Sequence, residues 1–470
     1  MYISFLFGFI PASLLKVFEK KSFIVGGLLL VVAHVLAAVM ITYTGNRKAI
    51  MNNSSLYTFL IAVLGGQGAS LIFIATLQSV LSSMTVVCTH FTASLIVAYF
   101  FGSTVIFLTL AQGVFGSMTI WIIIGLSVVV YIAANHYLPE SEEESSVEIA
   151  KCVLNKRTAG GHLLIQLIIT ILLVLVYAYD WEYSAAVGIV LLVLWLLNLA
   201  VPLLLLALLD EEAIKEMVGM PSEIETHLVM NKGKEGEPEA DFWMFAIAAA
   251  FSVGLSFTSL EQAGPLSLRN STTAYDMIQL QQVMTVVGAT LTGFILLYGR
   301  NNTSPAALFS LGTFFSILAS IHMWYLEGRR DQYILEQGLF ICNGLALGTQ
   351  FVCMASYCFE EFGKTGFAHT FGLMMTFAAL AFVICDELVF QWTFDAYAGR
   401  QKEDGWHRLY FGNWSEAVAF YYLIIEIVLF IVGIFAWRTW SERQVDGVLG
   451  AAFDAAKDLA KNVEMPKIGF

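Results

Sequence analysis

The chain is dominated by uninterrupted apolar runs of about 20 residues, the length an α-helix needs to cross the hydrocarbon core of a bilayer. Ser22–Tyr43 reads SFIVGGLLLVVAHVLAAVMITY, and YYLIIEIVLFIVGIF lies close to the C-terminus. Hydrocarbon offers no water to pair with a peptide group, so a spanning segment must be a helix or a strand of a closed barrel. Runs of this length, without the ten-residue alternation of barrel strands, select helices. With 58% hydrophobic and 13% charged residues, the chain has little left from which to build a water-soluble domain. The expected fold is all-α: a polytopic membrane protein of about thirteen transmembrane helices.

The spans fall into groups. Five are expected in residues 1–137, near Met1–Val17, Ser22–Tyr43, Leu56–Leu77, Phe91–Leu110 and Met118–Asn135. An acidic loop, 138–160, separates them from two inserted spans in 161–209, His162–Tyr179 and Tyr183–Leu209. Those two are rich in Leu, Ile and Val and are expected to face lipid, because helix contacts favour small residues. A polar central loop, 210–240, leads to six spans in 241–438, near Phe242–Leu260, Ile278–Tyr298, Pro305–Tyr325, Ile334–Ala355, Gly366–Phe390 and Ala417–Trp437. In the tail, 439–470, Val445, Val448, Leu449, Ala452, Phe453, Ala456 and Leu459 recur at helical spacing, predicting an amphipathic helix.

The formal net charge of −13 arises mainly in the two acidic loops and disfavours nucleic acid as a partner. The six cysteines form no CxxC pair, so neither a metal nor a cofactor is expected. A Walker lysine loop, an HExxH and a GxSxG are all lacking, so the chain reads as no enzyme and no ATP-driven pump. The leading apolar run has no basic region before it and reads as a span rather than a signal peptide.

A few residues depart from the apolar pattern. Glu426 lies in the middle of the last span, where a carboxylate costs at least a few kcal/mol unless it is paired, protonated or facing water. His34 lies mid-span as well, as a proton relay or as a donor to a nearby carbonyl. Asp386 and Glu387 are adjacent acids, but neighbouring helical residues point about 100° apart, so they cannot share one cavity. Glu261, Gln262, Glu336 and Gln350 complete the substrate or ion candidates, at span ends or lining a cavity. Gly344 with Gly348, and Gly66 within Gly65-Gly66-Gln67-Gly68, are read as sites of close helix packing.

Two pieces of sequence carry a family resemblance. One is Asp241-Phe242-Trp243 opening a span that continues through Gly254. The other is Gly344-Leu345-Ala346-Leu347-Gly348-Thr349-Gln350-Phe351, followed by Glu360-Glu361-Phe362-Gly363 and, later, Phe394-Asp395-Ala396-Tyr397-Ala398. Their order resembles the nodulin-like, or nuclear-fusion-defective-type, branch of the major facilitator superfamily. The resemblance implies a facilitator-like two-bundle arrangement of five, two inserted and six helices, with the family's first helix lacking. It also implies a secondary transporter moving a small solute by alternating access. The departures imply an alternative, a transport-inactive, carrier-derived structural subunit of a larger membrane complex. The charged turn after the family's second span is reduced to Phe18-Glu19-Lys20-Lys21, and this chain has Ile72–Thr76 and Phe257–Leu260 where relatives carry Asn. The partners expected are membrane lipids, a small-molecule solute for a carrier, and complex subunits reached through the C-terminal helix.

The 24 Lys and Arg residues divide sixteen to eight between the two sides of this topology, the excess lying with the central loops and the C-terminus. By the positive-inside rule that side is cytoplasmic, or matrix-facing in a mitochondrion, and Met1 lies opposite. Labelling of single cysteines placed at each end with an impermeant reagent is expected to mark the N-terminal site from outside and the C-terminal site only after permeabilisation. Both ends reacting from one side would contradict this topology.

Overall fold

A computed structural model describes residues 2–18, 21–42, 47–83, 86–110, 156–178, 185–208, 240–266, 271–298, 304–325, 333–396 and 416–439, together with 121, 124, 125 and 128. Every regular element among them is helical. They are α1 (Tyr2–Leu6), α2 (Phe9–Phe18), α3 (Ser22–Thr42), α4 (Arg47–Ser83), α5 (Val86–Leu110), α6 (Lys156–Ala178) and α7 (Ala185–Leu208). Then come α8 (Ala240–Glu261), the single turn α9 (Ala263–Leu266), α10 (Ser271–Tyr298), α11 (Pro305–Trp324) and α12 (Tyr333–Val383). A π-helical segment (Ile384–Gln391) continues α12, and α13 (Glu416–Thr439) is the last. Among the described residues, eight helices are long and apolar enough to cross a membrane. Phe9–Phe18, Phe91–Ser103, Leu164–Leu175 and Ala186–Asn198 are shorter apolar helices. The chain is an integral multi-pass membrane protein. Almost all of the expected span Met118–Asn135, most of the acidic loop, the polar central loop and the amphipathic tail lie outside the described residues.

Several spans differ from expectation. The third is longer than Leu56–Leu77, running as 37 residues from Arg47 to Ser83. Ile334–Ala355 and Gly366–Phe390 are two arms of α12, divided at Gly363, whose φ of 60° and ψ of −160° fall where only glycine is at ease. Most consequential, the first span is broken rather than continuous, with α1 ending at Leu6 and α2 starting at Phe9. The cause is tertiary. A Cβ on Gly8 would lie 2.9 Å from Met375 Cβ and 3.0 Å from Gly372 O, so the chain is pressed against the second arm of α12. The break frees backbone groups that side chains from other helices then satisfy. Gln67 Nε2 donates to Ser4 O and, at 3.3 Å, to Phe7 O. Phe9 N–H donates to Thr376 Oγ1 at 2.8 Å, and Ser4 Oγ donates to Val63 O at 3.0 Å.

Small residues set the other close approaches, as expected where helices associate without a hydrophobic force between them. A Cβ on Gly344 would sit 2.5 Å from Gln281 O, and one on Gly288 2.5 Å from Leu345 O. Gly348 faces Thr285 O at still shorter range, so α10 and the first arm of α12 touch backbone to backbone. Gly66 faces Ser4, where a Cβ would meet Ser4 Cβ at 2.6 Å. On the other seam Ser94 Oγ of α5 donates to Ala289 O of α10 at 2.7 Å, beside Gly293. The helices before residue 110 thus join those after 240 through α2 on α12 and α5 on α10.

Between these seams lies a run of phenylalanines drawn from both groups. Phe5, Phe73 and Phe100 have ring centroids 4.8 to 5.9 Å apart. Phe73 reaches Phe351 at 6.1 Å and Phe371 at 6.2 Å, Phe101 reaches Phe351 at 5.6 Å, and Phe5 reaches Phe257 at 6.5 Å.

Replacing Gln67 with Leu strands the carbonyls of Ser4 and Phe7, at a cost of about 1–3 kcal/mol for each buried group left unpaired. The thermal unfolding midpoint of the detergent-purified protein is expected to fall, whereas Phe59→Leu, at a position 63% exposed on the same helix, leaves it unchanged. Equal midpoints for both variants would mean that Gln67 does not hold the break.

Candidate functional site

A buried polar cluster inside the spans gathers on α8, α11, the first arm of α12 and α13. Glu426 is 2% exposed, with Tyr422 one turn before it on α13. Ser316 of α11 hydrogen-bonds the carboxylate, and Gln350 Nε2 donates to Ser316 Oγ at 3.3 Å. This chain, amide to hydroxyl to carboxylate, serves one carboxylate oxygen. Glu426 Oε2 is buried and has no partner among the described residues.

Beside the carboxylate is a cavity of about 10 Å³, room for one water molecule. Ser259, Ser320, Asn343, Tyr422 and Glu426 bring polar groups to its wall, and Leu255, Met323 and Leu339 close it. Asn343 Nδ2 donates to Ser259 Oγ at 2.6 Å, and Ser259 Oγ in turn donates to Leu255 O at 3.5 Å. Tyr422 O–H donates to Cys385 O at 3.0 Å. Cys385 lies in the π-helical segment, where widened turns disturb the carbonyl ladder; π-turns are often found at functional sites.

The next residue of that segment, Asp386, is buried and accepts from Gln262 Nε2 at 2.7 Å, whereas Glu387 is exposed on the other face. Glu261, at the end of α8, is exposed as well. The structure therefore brings Glu426 and Gln350 into one cluster and pairs Gln262 with Asp386 just beyond Tyr422. His34 is apart from both. Its Nδ1 lies 2.7 Å from Leu30 O of its own helix, α3, which packs on α4.

Sequence reasoning missed Ser259, Ser316, Ser320, Asn343 and Tyr422. A signal was present: Ser316 and Ser320 on one helix, and Tyr422 and Glu426 on another, stand one turn apart and so share a face. It also missed a second cluster, in the two inserted helices. There His162 Nδ1 lies 3.0 Å from Asn198 Oδ1, and Asn198 Nδ2 donates to Gln166 Oε1 at 3.2 Å. One face of α6, with His162, Gln166, Ile169, Thr170 and Leu173, is buried, while Leu164, Ile168 and Ile171 on the other are exposed.

No protein-family model matches the sequence, and no curated relative matches it. Solved structures do. The proton:xylose symporter XylE, a major facilitator superfamily protein bound to 6-bromo-6-deoxy-D-glucose, superposes with a TM-score of 0.52 at 11% identity, over 93% of this chain and 84% of its own. The E. coli fucose:proton symporter FucP gives 0.44 at 12% identity, over 93% and 90%. An autoinhibited POT-family peptide transporter gives 0.48 at 14%, over 93% and 86%. The likeness to XylE shows that this multi-pass membrane protein has the fold of major facilitator superfamily transporters.

Proposed function

We propose that the chain is a facilitator-type secondary transporter, moving a small solute by alternating access between two helical bundles, with Glu426 as its ion-coupling carboxylate. The observation that supports this reading is Glu426 itself. A carboxylate so placed in a membrane helix costs a few kcal/mol, and side chains of this kind generally mark substrate or ion pathways. Packing alone asks for no carboxylate here, since glutamine fills the same volume and accepts from Ser316 equally well. XylE is a proton:xylose symporter, which makes the proton the first coupling ion to test. The nodulin-like branch is our finer placement, supported by the pattern from Gly344 to Phe351 and by Glu360 to Gly363. We place the C-terminus on the cytoplasmic or matrix side.

The phenylalanine seam favours a second reading, that of a transport-silent structural subunit. Phe5, Phe73, Phe257, Phe351 and Phe371 are buried where the two groups of helices face each other, and they offer a polar solute no hydrogen-bonding partner. The amphipathic tail, 439–470, would then dock on a partner subunit or on the central loops.

In proteoliposomes carrying a pH gradient, Glu426→Gln is expected to abolish pH-dependent solute uptake while the protein accumulates normally, since the change removes ionisation at constant volume. Unchanged uptake would take Glu426 out of the mechanism. Loss of the protein itself would support the structural reading.

A further inference from the structure

The two inserted helices sit where the two groups of helices meet. α7 packs on α5, of the first group, while α6 packs chiefly on α10, of the second, and also reaches α5. α5 and α10 form one of the two seams, tied by Ser94 Oγ and Ala289 O. The inserted pair therefore lies across that seam. Its inner face is anchored there, because Ile169 and Leu173 of α6 and Leu191 of α7 are buried in the same apolar core as Phe101 and Val286.

A bridge of this kind holds only as well as α6 holds α7. Leucine against leucine supplies little grip in a bilayer, since lipid tails are equally apolar. The grip is polar. The Asn198 oxygen accepts from His162 Nδ1 at 3.0 Å, and Asn198 Nδ2 donates to Gln166 Oε1 at 3.2 Å. His162 and Gln166 stand one turn apart on one face of α6, so a single asparagine of α7 takes hold of both. All three side chains are 2% exposed or less, and the surrounding hydrocarbon offers no replacement for a hydrogen bond that breaks.

We propose that the inserted pair is a strap across the α5–α10 seam and that the hold of Asn198 on His162 and Gln166 is its latch, restraining how far the two groups of helices separate there. To part α5 from α10, the protein has to part α7 from α6 at the latch or draw one of them off the core. The strap is separate from the Glu426 cluster and regulates movement rather than binding. It rests on the reading of the chain as a transporter whose helix groups move.

The test is made on the full chain reconstituted in liposomes. Spin labels at Val193 of α7 and Phe294 of α10 report opening across the seam, and labels at Ile168 of α6 and Phe294 report whether α6 keeps to α10; all three side chains are exposed. Asn198→Leu removes both latch hydrogen bonds at similar volume. It is expected to raise the ratio of long to short Val193–Phe294 distances about threefold to tenfold, the worth of one to two interhelical hydrogen bonds in a membrane, while the Ile168–Phe294 distance stays constant. Thr170→Val, on the same buried face but with a hydroxyl that bonds within α6 to Gln166 O, is expected to match the wild type. Should Asn198→Leu fail to accumulate, Gln166→Leu takes its place, losing one of the two bonds, with a rise of about threefold. An unchanged Val193–Phe294 distribution in the latch variants, or a change in Ile168–Phe294 instead, would overturn the proposal. Labels at Leu56 and Tyr325, away from the strap, tell the two failures apart. If they report movement while the latch variants have no effect, the strap falls and transport stands; if no pair moves in any of these proteins, the transport reading falls and the strap with it.

Discussion

Every peptide group that this chain carries into hydrocarbon has to find its partner within the protein, and the rest of the structure follows from how that demand is met. Along regular helix the ladder meets it. At two of the places among the described residues that depart from the ladder, a side chain from elsewhere takes over. Gln67 and Thr376 serve the carbonyls and the amide freed between α1 and α2, and Tyr422 serves the Cys385 carbonyl in the π-helical segment. These are also the places where helices distant in sequence become tied together. Gln67 binds α4 to α1, Thr376 binds α12 to α2, and Tyr422 binds α13 to the end of α12.

Hydroxyls along the other helices meet the same demand locally. Thr285, Thr290, Thr292 and Thr313 each donate to the carbonyl one turn earlier in their own helix. This lets these threonines line helix contacts with their own hydroxyl donors satisfied. Glycines bring α10 and α12 together backbone to backbone, and phenylalanines fill the space between the two groups of helices. Glu426 stands out against this background as a carboxylate only 2% exposed within a membrane-spanning helix.

Much of the architecture was legible in the sequence, because span length and apolarity are local properties. The positions of α3, α8, α10, α11 and α13 agree with the runs that announce them to within a few residues, apart from the early start of α10 at Ser271. Glu426 was visible as a candidate for the same reason: a carboxylate amid Ile, Leu and Val breaks the apolar pattern. The break at Gly8 was not. Residues Ile3 to Leu15 read as one apolar run, and what interrupts it is contact with Gly372 and Met375, more than 360 residues away. Gln67 looked like part of a glycine-rich packing face, and its role appears only once Ser4 and Phe7 are placed beside it. The His162, Gln166 and Asn198 cluster was hidden differently. Each polar residue is diluted by a strongly apolar segment, and only the pairing of α6 with α7 makes the three a unit.

The proposed transport function requires that the two groups of helices, joined at α2 on α12 and at α5 on α10, move against each other. Spin-label distance measurements on the reconstituted protein test it most directly. One pair of labels goes at Leu56 and Tyr325, and a second, for the opposite end of the bundle, at Val17 and Trp437; all four side chains are exposed. Alternating access predicts two distances for each pair, with the Leu56–Tyr325 separation growing under conditions in which the Val17–Trp437 separation shrinks. A single unchanging distance for both pairs, across pH, sodium and candidate solutes, would contradict it and leave the phenylalanine seam as a permanent lock.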